Sequence, residues 1–246
     1  MNTTCGPDEG NLNLLLFSDA DRLETNKIAV RGRRLKHLRQ VHRANTGDKL
    51  RIGEIGGLTG EGEILAISEE VATLAVALAC PSPEKLPLTL VLALPRPKML
   101  CRILRTVAEF GVAELHLINS YRVEKSYWQS PVLETQSIQE FLLQGLEQSR
   151  DTILPRVQCH QRFKPFVEDV LPGLIGHDTA LLAHPGNYPS CPRNIEKQTV
   201  LIVGPEGGLI PYEVEKLQAA GCEAVSLGKR ILRVETAITV SLGRLF

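Results

Sequence analysis

From residue 88 onward the chain alternates short apolar runs with segments of helical periodicity, and no other feature restricts its fold as strongly. Residues 88–94 read Leu-Thr-Leu-Val-Leu-Ala-Leu, the continuous pattern of a strand buried on both faces. Residues 99–110 have helical spacing and stop at Gly111. Strands are predicted at 115–118, 157–160, 180–183, 200–203 and 224–227, and helices at 138–148, 165–171 and 235–245. A further helix, between the last two strands, is opened by Pro211 and closed by Gly221, as helix punctuation requires. Such alternation predicts an α/β fold with an open, largely parallel sheet covered by helices.

The first third has a different rhythm. After an apolar run at 14–17, residues 34–43 predict a basic helix with Leu35, Leu38 and Val41 on one face. Gly47-Asp48 marks a turn, and alternating segments follow at 49–55, 60–67 and 71–79. This pattern predicts a small β-barrel carrying a basic helix. Pro81, Pro83 and Pro87 then favour an extended connector, because each fixes its own φ and restricts the residue before it. The expected domains are therefore 1–82 and 87–246. Hydrophobic residues make up 43% of the 246, enough to fill both cores without a metal or disulfide staple.

Net charge is zero, yet its distribution is uneven. Arg31, Arg33, Arg34, Lys36, Arg39, Arg43, Lys49 and Arg51 fall in one stretch in which Asp48 is the only acid. A solvated helix face would look similar, but this is also the pattern of a surface that contacts nucleic-acid phosphates. The six cysteines form no C-x-x-C pair and the six histidines are dispersed, so no metal site is expected. No apolar stretch is long enough to span a bilayer, and residues 1–13 are polar, without the pattern of a secretion signal. A cytoplasmic protein is expected.

Three loops leave the carboxyl ends of the last three predicted strands: Ala183-His-Pro-Gly186, Gly204-Pro-Glu-Gly-Gly208 and Gly228-Lys-Arg-Ile-Leu-Arg233. Ligands of open parallel sheets bind at that edge. The loops could be ordinary turns, but three glycines in five residues favour close approach of a ligand to the backbone. The second loop lacks the Lys-Ser/Thr end of a phosphate-binding loop and does not match G-x-G-x-x-G, which weakens an oxidoreductase reading. Neutral backbone donors and acceptors suit a cofactor held through adenine and ribose.

Residues 202–209 (Ile-Val-Gly-Pro-Glu-Gly-Gly-Leu) and 227–237 (Leu-Gly-Lys-Arg-Ile-Leu-Arg-Val-Glu-Thr-Ala) together resemble the paired signature of the bacterial 16S ribosomal RNA uridine N3-methyltransferases, of the SPOUT superfamily. Residues 37–43 with Gly47-Asp48 resemble that family's PUA-like N-terminal barrel, and Glu109-Phe-Gly-Val112 resembles the end of the catalytic domain's first helix. The chain departs from the family at Arg105-Thr106, Phe110, Lys229 and Val234. The resemblance implies a trefoil-knotted α/β domain, a homodimer, a ribosomal RNA substrate (free or in the small subunit) and S-adenosylmethionine as cofactor. By the matching motifs the cofactor positions are Leu182, His184, Gly204, Glu206, Gly207, Gly208, Leu227, Gly228, Ile231 and Leu232.

Methylating uridine at N3 requires loss of a proton and leaves charge on the flanking carbonyl oxygens. A guanidinium suits that charge and a carboxylate can take the proton or hold the arginine. Arg233 and Glu235 are the candidates, and Arg230 is a candidate phosphate contact, with Arg31, Arg33, Arg34, Lys36, Arg39 and Arg43 binding RNA elsewhere. Glu206 is a second candidate base and Trp128 a candidate stacking residue. The competing readings are a same-fold methyltransferase acting on another rRNA or tRNA position, and a non-catalytic RNA-binding protein that keeps the scaffold.

Overall fold

Short apolar runs bounded by turn residues become strands throughout the computed structural model, which describes residues 13–40 and 43–246. The chain separates into two compact units. One ends at Glu84 and includes Leu143–Leu154; the other comprises Lys85–Leu142 and Pro155–Phe246.

The first unit is built on a six-stranded mixed sheet. Its strands are β1 (Leu15–Phe17), β2 (Arg22–Glu24), β3 (Lys27–Val30), β4 (Lys49–Glu54), β5 (Thr59–Ile67) and β6 (Ala72–Cys80), in the order β1-β4-β5-β6-β3-β2. Only β1 and β4 run parallel; the other pairs are antiparallel. The hairpin of β2 and β3 was not visible in the sequence, because β2 is only three residues, two charged ones around an exposed leucine, with no period to read. Helix α1 (Gly32–Gln40) begins two residues before the predicted start and buries Leu35 and Leu38 against a core that includes Phe17, Ile28, Ile52, Ile64 and Leu74. Val41 and His42, at the expected end of this helix, lie outside the described residues.

The second unit carries a six-stranded, wholly parallel sheet. Strands β7 (Leu86–Ala93), β8 (Val112–Ile118), β9 (Arg156–His160), β10 (Thr179–Ala183), β11 (Thr199–Val203) and β12 (Glu223–Val225) are ordered β12-β10-β11-β7-β8-β9. Every residue of β11 is buried, and the strand begins at Thr199, one residue before the predicted 200–203. The helices are α2 (Pro97–Glu109), α3 (Thr135–Ser149), α4 (Phe163–Pro165), which runs through a π-helical turn at Phe166–Val170 into α5 (Leu171–Ile175), α6 (Pro211–Ala219) and α7 (Val234–Leu245). Pro97 and Pro211 occupy the first helical positions of α2 and α6, where a missing N–H costs no intrahelical bond. Gly111 and Gly221 follow these helices with φ of +70° and +100°. Among the described residues no helix is long and apolar enough to cross a membrane.

Candidate functional site

Because β12, β10, β11 and β7 are consecutive neighbours and all parallel, the four segments that leave their carboxyl ends converge. They enclose a cavity of about 850 Å³, within the range of small-molecule sites. Its wall takes in His184 and Pro185 after β10, residues 204–209 after β11, Ser226 to Glu235 apart from Lys229 after β12, and Arg96, Lys98, Met99 and Arg102 after β7.

Nine of the ten cofactor positions expected from the motifs line this cavity; Leu182 does not. It is fully buried within β10, so its side chain belongs to the sheet interior. The contribution of β7 and α2 was missed. That strand lies beside β11 in the sheet although more than a hundred residues separate them in the chain, and strand order left no mark in the sequence.

The glycine-rich loop is held from two sides. Gly208 sits at φ +75° and its N–H donates to the Pro205 carbonyl at 2.8 Å, closing a turn. Gly207 lies under Arg122, whose guanidinium donates to the Gly207 carbonyl. A Cβ on Gly207 would come within 3.1 Å of the Arg122 side chain. On the other side, a Glu206 carboxylate oxygen accepts from the backbone N–H of Arg96 at 3.2 Å, with the Arg96 guanidinium at 3.8 Å. Glu206 thus ties two walls of the cavity together.

Beneath the loop, Glu213 is buried at the start of α6 and accepts three hydrogen bonds. These come from the Ser120 hydroxyl at 3.1 Å, the Tyr121 N–H at 2.7 Å and the Ile210 N–H at 3.0 Å. A buried carboxylate is tolerated only with such a set of donors. It fixes the segment after β8, and therefore Arg122, over the glycines. Trp128 donates its indole N–H to Asn119 at 3.0 Å, a packing role in this same segment.

The third loop is shaped by Ser226, whose hydroxyl accepts from the Gly228 N–H at 3.2 Å, and Gly228 takes φ +131°. Beyond it Ile231 is 84% exposed at the cavity lip, an unusual position for an isoleucine. Arg233 is the residue immediately before α7 and accepts, through its carbonyl, the Ala237 N–H at 2.8 Å, while Glu235 lies in the first turn. Both line the cavity, and no ion pair joins them among the described residues. Burial holds His184 below the ordinary histidine value, so its imidazole is neutral at neutral pH. Among the described residues no group of three His, Cys, Asp or Glu could hold a metal.

The basic stretch of the first unit is less uniform than its sequence. The Arg34 guanidinium is committed to Asp21 at 2.6 and 2.8 Å and to the Leu16 carbonyl at 3.0 Å. Arg33 pairs with Glu147 at 2.8 Å, Arg39 with Glu69 at 3.6 Å, and Lys49 with Glu61 at 2.7 Å. Arg31, Lys36 and Arg43 are exposed, with no carboxylate partner among the described residues. The acids that neutralise the stretch come from distant positions, which a linear charge count cannot reveal.

With this geometry in place, comparison with known proteins narrows the chemistry. A model of the RNA methyltransferase domain matches residues 82–245. The chain is 28% identical over 232 residues to the ribosomal RNA small subunit methyltransferase E of Treponema pallidum, covering 92% of this chain and 87% of that one. To the Synechocystis protein of the same name it is 32% identical over 218 residues, covering 86% and 70%. In fold it is similar to the crystal structure of the Neisseria gonorrhoeae ribosomal RNA small subunit methyltransferase E bound to S-adenosyl methionine, with a TM-score of 0.75 at 20% identity over 94% of this chain and 95% of that one.

Proposed function

The chain belongs to the RNA methyltransferase domain family, and from that premise we propose that it is an S-adenosylmethionine-dependent methyltransferase of 16S ribosomal RNA that modifies N3 of a uridine. The observation that carries this reading is the single cavity in which three glycine loops meet Arg233 and Glu235.

The residues present fit the cofactor. Leu209, Leu227 and Leu232 offer apolar surface to a flat adenine, while the loop backbones at Gly204 and Gly228 can approach its sugar. When bound, S-adenosylmethionine supplies an electrophilic methyl group on sulfur. The chain's own task is then to bring a uracil ring to that group and to manage one proton and one charge. Arg233 donates to a uracil carbonyl oxygen as negative charge develops there. Glu235, two residues further on in the first turn of α7, accepts the N3 proton or holds the arginine in register. Glu206, committed to Arg96, serves the loop rather than the proton. Arg230 meets a neighbouring phosphate.

A trefoil knot is part of the same proposal, and contacts between the segment after β10 and later parts of the chain support it. The Ser226 N–H donates to the Pro189 carbonyl and the Cys191 N–H to Ser226, and the Ile195 N–H then meets the carbonyl of Leu245 near the chain's end. In this proposal residues 1–82 form a PUA-like barrel that holds RNA through Arg31, Lys36 and Arg43, residues 87–246 form the catalytic domain, and the enzyme works as a homodimer.

Calorimetry and a methyl-transfer assay test the reading together. Wild type should bind S-adenosylmethionine saturably and label 16S rRNA, with 3-methyluridine recovered on digestion. Arg233→Ala and Glu235→Ala should keep cofactor affinity and lose at least about a hundredfold in turnover, the scale of one electrostatic or acid–base group. Turnover near wild type in both variants would remove them from the mechanism, and label recovered at another position would correct the target.

A further inference from the structure

The cavity wall contributed by β7 and α2 has no role in holding a cofactor as described so far, and its charge is wrong for one. Five cations line the cavity, Arg96, Lys98, Arg102, Arg230 and Arg233, against two acids, Glu206 and Glu235. Arg96 lies against Glu206. Lys98, Arg102, Arg230 and Arg233 have no carboxylate partner among the described residues. S-adenosylmethionine carries a sulfonium, an ammonium and one carboxylate, so it is itself a net cation. Unpaired positive charge around its site raises its energy of binding and must be offset by something anionic.

The position of these side chains says where that anion lies. Lys98 and Arg102 stand on the first turns of α2, four residues apart and hence on one face. Arg230 and Arg233 stand on the segment that leads into α7, and α2 and α7 pack against each other. All four are thus presented to one cavity from two packed elements, and both Lys98 and Arg102 are exposed. A single carboxylate would not need two such elements; a polyanion passing along the mouth would.

We infer that Lys98 and Arg102 form a phosphate-binding wall for the RNA strand on the side of the target base opposite Arg230. This rests on the functional reading above and adds to it a second backbone contact: the phosphodiesters on both sides of the target nucleotide are gripped, Arg230 on one and the α2 wall on the other. Gripping both sides of one nucleotide lets an enzyme turn its base out of the strand, because the flanking backbone supplies the fixed points. Phosphate contacts of this kind position the strand and carry no sequence information.

The test is the salt dependence of RNA affinity, measured without cofactor on transcribed 16S rRNA for wild type and a Lys98→Gln/Arg102→Gln double variant. Each phosphate contact to single-stranded RNA contributes about 0.7 to the slope of log affinity against log salt. The double variant should therefore lose about 1.4 from that slope and about tenfold in affinity near physiological salt. Its S-adenosylmethionine affinity, read by calorimetry, should be no weaker than that of wild type, because the two charges removed repel a net cation, and its melting temperature should be unchanged because both side chains are exposed. An unchanged slope overturns the proposal. So does an unchanged slope with weakened cofactor binding, which would assign the wall to the cofactor's carboxylate. Failure of the functional reading is seen separately, as absence of S-adenosylmethionine binding by wild type.

Discussion

At Gly228 the backbone adopts φ +131°, where any side chain is strained whatever the space around it, although an added Cβ would meet nothing within 4 Å. Alanine there must either strain or move the loop, at a cost of about 1–3 kcal/mol. Gly228→Ala should therefore weaken S-adenosylmethionine binding by about tenfold or more in calorimetry, and lower the unfolding free energy by no more than that strain. Arg34 makes the opposite case, a residue expected to bind RNA whose guanidinium is taken up by Asp21 and the Leu16 carbonyl. Its bonds to Asp21 are partly buried, with side chains 24% and 15% exposed, so Arg34→Gln should lower unfolding free energy by about 1–2 kcal/mol in urea while leaving the salt slope of RNA binding intact. Burial tends to raise the Asp21 pKa, but the hydrogen bonds from Arg34 and Ser18 prevail and hold it below the usual aspartate value of 3.8. A depressed carboxylate stabilises the fold above its unfolded pKa and loses that contribution as pH falls through its folded value. The stability gap between wild type and Arg34→Gln should thus be full at pH 5 to 7 and close below pH 3.8. A gap that persists at low pH would mean that packing of the arginine stem, not charge, is responsible.

Elements in this protein are joined through a few polar residues rather than through their apolar faces alone. Glu213 is the clearest: one carboxylate at the start of α6 anchors residues 120 and 121 after β8 and residue 210 of the glycine-rich loop. Removing it leaves three donors without their acceptor. Glu213→Ala should destabilise by about 2–4 kcal/mol in chemical denaturation. It should also lower cofactor affinity, since Arg122 would no longer be held on Gly207. A stability loss with unaltered cofactor affinity would show that Arg122 is placed by other contacts. In sequence Glu213 is an ordinary acid in a helix's first turn, and that placement was legible from Pro211. Its reach to Ser120 and Tyr121 was not, because those partners lie more than ninety residues earlier.

On the scale of the whole molecule, the chain's path is less simple than two consecutive domains. Residues 143–154 belong to the first unit although they follow the second unit's opening strands. Thr152 is the anchor: its hydroxyl donates to the Gly57 carbonyl at 2.6 Å and lies 2.6 Å from the Ser82 hydroxyl, and its carbonyl accepts the Gly56 N–H at 2.8 Å. Gly53 leaves room for it, since a Cβ there would stand 2.7 Å from the Thr152 methyl. Thr152→Val keeps the shape and leaves the partly buried Gly57 carbonyl without its donor, so it should destabilise by about 1–2 kcal/mol in thermal or urea unfolding. Equal stability of the two proteins would mean that water or a shifted Ser82 replaces the hydroxyl. Sequence by itself determined the nature and order of the second unit's strands and helices, because burial on both faces writes unbroken apolar runs and helix ends require proline and glycine. It also marked the three glycine loops and Arg233 with Glu235, because close backbone approach and charge at a helix start depend on local residue type. Only the tertiary structure decided that β7 lies beside β11 and so brings Lys98 and Arg102 to the cavity. Only it decided that Arg34 is spent on Asp21 and that residues 143–154 return to the first unit. Those outcomes depend on which distant segments meet, and a pairing between remote residues leaves no period, no cap and no motif in the chain that carries it.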